Sequence, residues 1–372
     1  MNIGLFGFGV VGRGVYDIVR AREDMTVTKV LCLEDICLPD AQSDVQAVQD
    51  YTQIVNDPEI DTVVEAIGGV HPAFEMVKAA MEAGKNVVTS NKALVCSCYD
   101  ELLSLAKNMG VSLRCTAAVG GGIGWLSELE RARRVQSFTQ LWGIMNGTCN
   151  YILDNMTRKG LDYGDVLKQA QALGYAEANP ATDVEGTDTW HKIILSSNVA
   201  FGVTVDKRSV PAAGISRITA ADVENFKAHG LVCKLIGTSK KIDGRHHIYV
   251  QPTLFAEGEM EAAVPMNYNL ITFVGETSER MSFYGQGAGR YPTAYNVVQD
   301  LVDVKEGKGF YAPYGPAVQA DNSEKLRYYV RGDWNGAAEE TWGDAVVTAP
   351  VAVNEMHAWL KDNPDAFIAA IR

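Results

Sequence analysis

The sequence predicts an α/β protein in two parts, a domain with a parallel sheet followed by an α+β domain with a mixed sheet. Three observations support this prediction. An apolar strand at residues 2–6 runs directly into the glycine-rich segment 7–12 and a helical pattern. Strand and helix patterns then alternate as far as residue 115, as in βαβ units. Beyond Gly202 the pattern changes to antiparallel-looking strands. The candidates are 231–242, 246–254, 270–275 and 279–284.

The segment Gly7-Phe8-Gly9-Val10-Val11-Gly12 has the spacing G-x-G-x-x-G in a strand–turn–helix setting. The first glycine permits the tight turn, the second lets the backbone approach a pyrophosphate, and the third lets the helix pack on the strand. The positive end of the helix then faces the phosphates. This context predicts a Rossmann-type dinucleotide-binding domain. The predicted contacts are Gly7, Gly9, Val10, Val11 and Gly12. The alternative is a plain glycine-rich turn.

A second strand, at about residues 27–33, ends in Glu34-Asp35. An acidic residue about 20 positions beyond the glycines accepts hydrogen bonds from the ribose hydroxyls. It also repels a 2′-phosphate, so the sequence favours NAD over NADP, with Glu34 as the ribose contact. An acidic turn after a strand is the alternative interpretation, and the choice of Glu34 over Asp35 depends on the register of the strand.

Two further strands end in residues suited to ligand binding. The buried strand 61–69 ends in Gly68-Gly69, and strand 86–89 leads into Ser90-Asn91-Lys92. Open α/β sheets bind ligands at the carboxyl ends of their strands. Lys92 is therefore placed to meet a substrate carboxylate or a reacting oxygen. The alternative is a solvated lysine at the start of a helix.

Two glycine-containing turns interrupt the regular pattern. Residues 116–124 contain three consecutive glycines, which suggests a bend with exposed backbone groups and a domain boundary. An apparent strand at 135–145 leads into Asn146-Gly147-Thr148 and a helix, so Thr148 lies at a helix N-terminus suited to an anion. Ordinary capping by Thr148 is the alternative. The loop 285–289 precedes another helix and is expected to return the chain to the first domain.

The most informative stretch is Leu173–Lys192, which contains four carboxylates within twelve residues and ends in a lysine. These are Glu177, Asp183, Glu185, Asp188 and Lys192. The three-residue spacing of Thr182 and Glu185 predicts a capping box. In the helix that follows, Asp188 and Lys192 are four residues apart and share a face. Lysine beside carboxylates can transfer a proton, and the carboxylates can hold a substrate ammonium group. The alternative is a surface ion pair worth about 0.3–0.5 kcal/mol.

Composition narrows the classes of function. The chain has 372 residues, a net charge of -13 and a pI near 5.0, which argues against nucleic acid and anionic membranes as partners. No apolar run has membrane-spanning length. The N-terminus enters a strand without a charged leader, so a cytoplasmic location is expected. The seven cysteines include no C-x-x-C pair and are interpreted as reduced thiols.

Together these motifs resemble homoserine dehydrogenase over about residues 1–305. The matching pieces are GFGVVG at 7–12, VVTSNKAL at 87–94, GIMNGTCNYIL at 143–153, LGYAEANPATDVEGTDTWHK at 173–192 and GQGAGRYPTAYNVVQDL at 285–301. The resemblance implies NAD(P)-dependent interconversion of L-homoserine and L-aspartate 4-semialdehyde. It also implies a homodimer formed through the second domain. The expected domains are 1–115 for the dinucleotide (with 286–305 returning), 116–285 for substrate and dimerisation, and a C-terminal appendage, 306–372.

The resemblance also assigns roles to individual residues. Lys192, Lys92 and Asp188 are the expected catalytic residues, with Lys192 as the preferred general acid/base. The expected substrate contacts are Thr148, Tyr175, Glu177 and Asp183. The expected cofactor contacts are Gly7, Gly9, Val10, Val11, Gly12, Glu34, Gly68, Ser90, Asn91, Lys92 and Gly289.

The chain departs from the family at several positions. The family has Glu at position 116, where it helps to hold a monovalent cation with carbonyls matching Val119, Gly121 and Ile123. This chain has Thr116, and it has Gly124 where the family has proline. Glu34 replaces an arginine of many relatives, in line with NAD. Residues 325–334 resemble the first strand of an ACT regulatory domain, but the remaining residues do not match, so no threonine feedback through such a domain is expected.

Two alternative functions stay open on the sequence alone. One is a dehydrogenase of the same fold acting on another small amino alcohol or aldehyde, for which Thr116 and Gly124 leave room. The other is a non-catalytic nucleotide-binding paralogue. The presence of both Lys92 and Lys192, together with the four expected substrate residues, argues against the second.

Overall fold

The structure, a computed structural model, describes residues 1–32, 45–308 and 315–372. The described chain forms two compact units. The first contains Met1–Arg134, Asn198–Thr204 and Gln286–Pro316, and the second contains Val135–Ser197, Val205–Gly285 and Ala317–Arg372. Residues 116–134, expected in the second domain, are thus grouped with the first unit. Residues 317–372 belong to the second unit.

The first unit contains a six-stranded parallel sheet. Its strands are β1 (Asn2–Phe6), β2 (Thr26–Leu31), β3 (Gln46–Val48), β4 (Thr62–Glu65), β5 (Asn86–Thr89) and β6 (Leu113–Arg114). Their order is β3-β2-β1-β4-β5-β6, which is the doubly wound order of dinucleotide-binding domains. The strand order reverses between β1 and β4, and ligands of such folds bind at that crevice. The predicted parallel-sheet fold is therefore confirmed.

Helices cover this sheet. They are α1 (Val10–Val19), α2 (Thr52–Val55), α3 (Ala73–Glu82), α4 (Lys92–Ser97), α5 (Tyr99–Met109), α6 (Trp125–Ala132) and α13 (Arg290–Lys305). Helices α1 and α13 pack so closely that a Cβ on Gly14 would lie 2.7 Å from the Arg290 carbonyl oxygen. Val15, Val19, Val297 and Leu301 from these helices share one buried core with Ile3 and Leu5 of β1.

Buried polar contacts bring α13 back to the end of this sheet. Arg114 Nε donates to Asp300 Oδ1 at 3.0 Å, and Thr116 donates to Asp300 from its backbone N at 2.8 Å and from Oγ1 at 2.7 Å. Asp300 is fully buried, and burial raises the pKa of its carboxyl group. These bonds explain why residues 116–134 and 286–316 are grouped together. They also show that Thr116 has its own hydrogen-bond partner in this chain.

The second unit is built on a ten-stranded mixed sheet. Its strands are β7 (Phe138–Ile144), β9 (Leu231–Ile242), β10 (Arg245–Ala256), β11 (Tyr268–Gly275), β12 (Glu279–Gln286), β14 (Lys325–Arg331), β15 (Ala338–Trp342), β16 (Ala345–Thr348), β17 (Val351–Ala352) and β18 (Phe367–Ile371). The order is β12-β11-β7-β9-β10-β18-β14-β16-β15, with β17 paired to β14. The β10–β18 pair is parallel and β7–β9 is antiparallel, so the predicted mixed sheet is confirmed. A separate two-stranded sheet pairs β8 (Thr204–Val205) with β13 (Ala317–Val318).

The helices of this part are α7 (Gly147–Lys159), α8 (Tyr163–Ala172), α9 (Ala181–Val184), α10 (Thr187–Phe201), α11 (Ala220–Ala228), α12 (Met260–Ala263) and α14 (Val353–Asp362). Helix α10 packs on one face of the sheet. Its Ser197 Oγ donates to Ser239 Oγ of β9 at 2.7 Å, and a Cβ on Gly237 would lie 3.0 Å from Ile193. Helix α14 lies on the other face, where His357 Nε2 is 2.9 Å from Gln251 Oε1.

Some local predictions are wrong. Thr182 and Glu185 do not form a capping box, because Pro180 is the N-cap of α9 and Gly186, at φ 84°, separates α9 from α10. The alternating strand and helix pattern, predicted as far as residue 115, ends in the short strand Leu113–Arg114. None of the helices in the described parts of the chain is long and apolar enough to span a bilayer.

Candidate active site

The centre of the acidic stretch is a buried ion pair on α10. Lys192 Nζ donates to Asp188 Oδ2 at 2.7 Å, and the two side chains are only 8% and 6% exposed. Lys192 Nζ also donates to the Met145 carbonyl oxygen at 2.7 Å, at the end of β7. The i to i+4 spacing was predicted, but the interpretation as a surface pair is wrong. Paired buried charges of this kind are typical of functional sites.

Asn146 connects this pair to a second carboxylate. Its Nδ2 donates to Asp188 Oδ2 at 2.8 Å and to Asp183 Oδ1 at 2.7 Å. Its Oδ1 accepts from the Cys149 backbone N at 2.8 Å, which makes Asn146 the N-cap of α7. A helix start was predicted here, but the role of Asn146 was not. The local signal was the Asn-Gly-Thr turn, which predicts a helix cap. It does not predict the hydrogen bonds to Asp183 and Asp188, which lie 37 and 42 residues later.

Two carboxylates held by one amide group repel each other. Burial raises the pKa of the Asp183 carboxyl, the hydrogen bond from Asn146 opposes that effect, and the charge of Asp188 raises the pKa further. Lys192 is the cation that compensates Asp188. Asp183 is therefore left as the carboxylate with the weaker compensation, and a ligand ammonium group would supply the missing positive charge.

Thr148 and Tyr175 lie beside this network. Thr148 Oγ1 donates to the Tyr175 carbonyl oxygen at 2.6 Å, so it ties the first turn of α7 to the loop that carries the acidic residues. Asn146 is the N-cap of α7, so the alternative of capping by Thr148 is wrong. The Tyr175 ring packs on Tyr151 with centroids 5.1 Å apart. Glu177 is exposed, and its backbone carbonyl accepts from Gln171 Nε2 at 3.1 Å.

The structure thus brings five predicted residues into one region of the second unit. They are Thr148, Tyr175, Asp183, Asp188 and Lys192. Glu177 lies on the same loop with its side chain in solvent. Lys92 belongs to the first unit, where it is the half-buried first residue of α4.

The glycine turn of the first unit fits a phosphate group. Gly7 has φ 98°, which favours glycine, and a Cβ on Gly12 would lie 2.2 Å from the Gly7 carbonyl oxygen. Nothing lies within 4 Å of a Cβ on Gly9, which is the N-cap of α1 and offers no side-chain acceptor to the helix. The first amides of α1, including those of Val10 and Val11, therefore open onto free space where a pyrophosphate can bind.

The carboxyl ends of β4 and β5 are joined by Glu65, which no sequence motif had indicated. Glu65 is fully buried and accepts from Thr89 Oγ1, from Asn91 Nδ2 at 3.3 Å, and from the backbone N of Ile67 and Gly68 at 2.8 and 3.2 Å. Asn91 also caps α4, accepting from the Leu94 backbone N at 3.1 Å. This network fixes the Gly68 turn, at φ 89°, and the start of the helix that carries Lys92. Ser90 is half-buried between them.

Other predicted residues are less informative. Glu34 lies outside the described residues. Gly289 has φ 120° and is the N-cap of α13. The carbonyl oxygens of Gly121 and Ile123 accept from Asn296 Nδ2 and the Trp125 backbone N. Cation binding by these carbonyls and that of Val119 stays a prediction. Across residues 1–32, 45–308 and 315–372, no three His, Cys, Asp or Glu side chains are grouped as a metal centre requires.

Comparisons with known proteins match both the nucleotide-binding part and the part that carries Lys192. Residues 7–116 match the family model described as homoserine dehydrogenase, NAD binding domain, and residues 125–302 match the model for homoserine dehydrogenase. Such a pair of domains defines an NAD(P)-binding oxidoreductase that acts on a CH–OH group. The chain belongs to the homoserine dehydrogenase family.

Individual relatives support this assignment. The chain is 38% identical to homoserine dehydrogenase of Bacillus subtilis over 315 residues, which cover 82% of this chain and 72% of the relative. It is 37% identical to the Pseudomonas aeruginosa enzyme over 316 residues, with the same coverage. The crystal structure of a homoserine dehydrogenase from Thiobacillus denitrificans superimposes with a TM-score of 0.86 at 29% identity, covering 100% of this chain and 98% of the other.

The glycine turn supports a matched pair of substitutions. Gly12→Ala is expected to lower both the Tm and the affinity for NAD(H), because its Cβ would meet the Gly7 carbonyl. Gly9→Ala has free space and φ −75°, so its Tm should stay within error of the parent protein. Its NAD(H) affinity should still fall, because the added methyl occupies the space of the pyrophosphate. Calorimetry and cofactor titration measure both quantities. Unchanged NAD(H) binding by Gly9→Ala would show that the phosphates bind elsewhere.

Asn146→Asp tests the amide that joins the carboxylates. Aspartate still caps α7, but it removes two donors and adds a third acid beside Asp183 and Asp188. Hydrogen bonds to charged groups contribute about 1.5–3 kcal/mol each, so kcat for homoserine oxidation should fall on the order of tenfold or more. Asn155→Asp, a buried change on the same helix whose amide bonds only the Tyr151 carbonyl, is the control for general destabilisation. Equal kcat losses in the two variants would refute a specific role.

Proposed function

We propose that the chain interconverts L-homoserine and L-aspartate 4-semialdehyde by hydride transfer with NAD(P), as a step of threonine and methionine biosynthesis. The observation that carries this proposal is the buried Asp188–Lys192 pair, joined by Asn146 to Asp183. The bound nicotinamide supplies the hydride acceptor or donor. The protein then has to bind a small amino alcohol, orient its carbinol carbon and move one proton.

Lys192 is proposed as the group that moves the proton. In the oxidation of homoserine, neutral Lys192 Nζ accepts the hydroxyl proton while the hydride leaves the carbinol carbon, and the charged amine that results is stabilised by Asp188. Reduction runs the same steps in reverse. The Met145 carbonyl holds Nζ in place, because it accepts at 2.7 Å from one side of the amine. Asp188 therefore acts on the proton through Lys192.

The remaining acids are proposed to hold the substrate ammonium group. Asp183 has a carboxylate with weak compensation and a pKa raised by burial, which an ammonium partner would lower. Glu177 lies on the same loop, and Thr148 and Tyr175 border it. Lys92 is proposed to bind the substrate carboxylate or the reacting oxygen, since it follows the carboxyl end of a parallel strand.

NAD is proposed as the preferred cofactor, on the acidic Glu34 that follows the second strand. A carboxylate there accepts hydrogen bonds from both ribose hydroxyls and repels the 2′-phosphate of NADP. A homodimer formed through the second unit and a cytoplasmic location are also proposed. Both rest on the family resemblance.

A cofactor-linked absorbance assay with homoserine at alkaline pH tests the activity. The parent protein should reduce NAD with homoserine. Lys192→Ala should lose about 10²–10⁴-fold in kcat, the usual contribution of a positioned acid/base group, while it still binds NAD(H). Lys192→Arg keeps a cation beside Asp188 but does not release its proton, so it should retain the fold better than Lys192→Ala and remain inactive.

Three results would contradict parts of this proposal. Near-normal turnover by Lys192→Ala would remove Lys192 from the reaction. Turnover only with another amino alcohol would keep the fold and change the substrate. Cofactor binding without turnover of any amino alcohol would indicate a non-catalytic paralogue.

Glu34→Arg tests the cofactor preference. The substitution exchanges a repulsive group for one that binds the 2′-phosphate, so the ratio of kcat/KM for NADP over NAD should rise. Asp35→Arg is the matched control, because it introduces the same charge one residue further along the chain. If the ratio is unchanged by Glu34→Arg and rises with Asp35→Arg, then Asp35 is the ribose contact. An unchanged ratio in both variants would refute the acidic contact.

A further inference from the structure

The sheet of the second unit has a second face that the proposed reaction does not use. Gly237 and Ser239 of β9 face α10, as their contacts with Ile193 and Ser197 show. Side chains alternate along a strand, so Ile236 and Thr238 point to the opposite face. Their neighbours there include Gln251 and Tyr249 of β10, according to the antiparallel register.

This opposite face lines a half-open cavity, which we name the Gln251 cavity. Its volume is 60 Å³, room for about four water molecules. The walls are mostly apolar or aromatic, and Arg372 lies in the lining. The residues that matter here are Trp142, Ile236, Gln251, Phe255, Ala370 and Arg372. A molecule of about four or five non-hydrogen atoms matches this volume, at about one such atom for each water displaced.

Gln251 presents an unused hydrogen-bond donor in this cavity. It is 1% exposed, and in the described part of the chain its Nε2 has no hydrogen-bond partner. Its Oε1 is already engaged, because Tyr328 OH donates to it at 3.3 Å and His357 Nε2 lies 2.9 Å away. Burial lowers the pKa of His357 to about 4, so the ring is neutral and can donate to Oε1. Buried amide donors are nearly always paired, so this one calls for an acceptor in the cavity.

Arg372, an exposed residue, brings a guanidinium group to the lining of the same cavity. Its guanidinium stacks on Trp142, 4.4 Å from the ring centroid, and lies 5.3 Å from the centroid of Phe255. Stacking uses the face of the guanidinium and leaves its N–H edge for an anion. None of the ion pairs in the described chain involves Arg372. The other cation of the lining, Lys240, is neutralised by Glu324, which also accepts from Tyr249 OH at 3.0 Å.

We propose that the Gln251 cavity is a binding site for a small aliphatic carboxylate. The guanidinium edge of Arg372 binds the carboxylate, the free amide of Gln251 donates to one of its oxygens, and the short aliphatic part fills the space beside Ile236 and Ala370. This assignment is independent of the proposed reaction, because the site lies on the face of the sheet that α10 does not cover.

The test is a titration of the full chain with propanoate, followed by calorimetry and by tryptophan fluorescence, since Trp142 lines the cavity. Propanamide, which has the same shape without the charge, is the matched ligand control, and sodium chloride controls for ionic strength. Saturable binding of propanoate with a change in fluorescence is expected, together with a rise in Tm at saturation. Propanamide is expected to bind at least tenfold more weakly.

Two variants locate the binding. Arg372→Gln should weaken propanoate binding at least tenfold. Ala370→Leu fills the cavity with side chain and should abolish binding while the protein remains folded, as judged by its Tm. Both variants leave the residues around Lys192 intact, so homoserine turnover should stay within twofold of the parent.

The proposal fails if propanoate shows no saturable binding, which would mean that ordered water alone satisfies Gln251. It also fails if propanoate binding is unchanged in Arg372→Gln and Ala370→Leu, because the ligand would then bind elsewhere. Equal binding of propanoate and propanamide would overturn the assignment of a carboxylate.

Discussion

The arrangement of the candidate active site depends on the buried pair of Asp188 and Lys192. A single charge buried without a partner is costly, and removing one member of a buried pair typically costs about 3–5 kcal/mol. Here the pair is satisfied on both sides, by the Met145 carbonyl on the amine and by the Asn146 amide on the carboxylate. Three stretches of chain, at 145–146, 183–188 and 192, are thereby held in one geometry. A substrate that binds there meets polar groups that are already oriented, as electrostatic stabilisation requires.

The sheet explains why that geometry is rigid. β7 is hydrogen-bonded to strands on both sides, and its chain continues into Met145 and Asn146. Helix α10 approaches the neighbouring strand closely at Gly237, where any Cβ would press against Ile193 and Thr189. The acidic network is therefore built from a strand end, a helix N-terminus and a helix packed directly on the sheet. Sites on such elements are positioned more accurately than sites on loops.

Local chemistry made some of these features predictable from sequence. The glycine spacing after β1 fixes a turn and a helix start within six residues, and the spacing of Asp188 and Lys192 fixes a shared helix face. Asn146 and Glu65 escaped prediction because their partners depend on distant pairing. The capping box failed because Gly186 interrupts the helical segment with a positive φ that spacing does not reveal. The whole C-terminal part was expected only as an appendage, since the strands that join it to the rest, β13 and β18, pair with β8 and β10, more than a hundred residues earlier in the sequence.

That C-terminal part has a definite physical place in the second unit. The parallel pairing of β10 with β18 spans only two residue pairs, at Thr253–Ala370 and Leu254–Ile371. So short a ladder contributes little by itself, and other contacts must hold the segment on the sheet. Two of them end on one buried carboxylate. Arg331 Nε and Tyr329 OH donate to the fully buried Asp222 at 2.9 and 2.7 Å. Because a charge and several aromatic rings are buried at this junction, residues 317–372 are an integral part of the unit that carries Lys192, and they close the sheet face on which Gln251 lies.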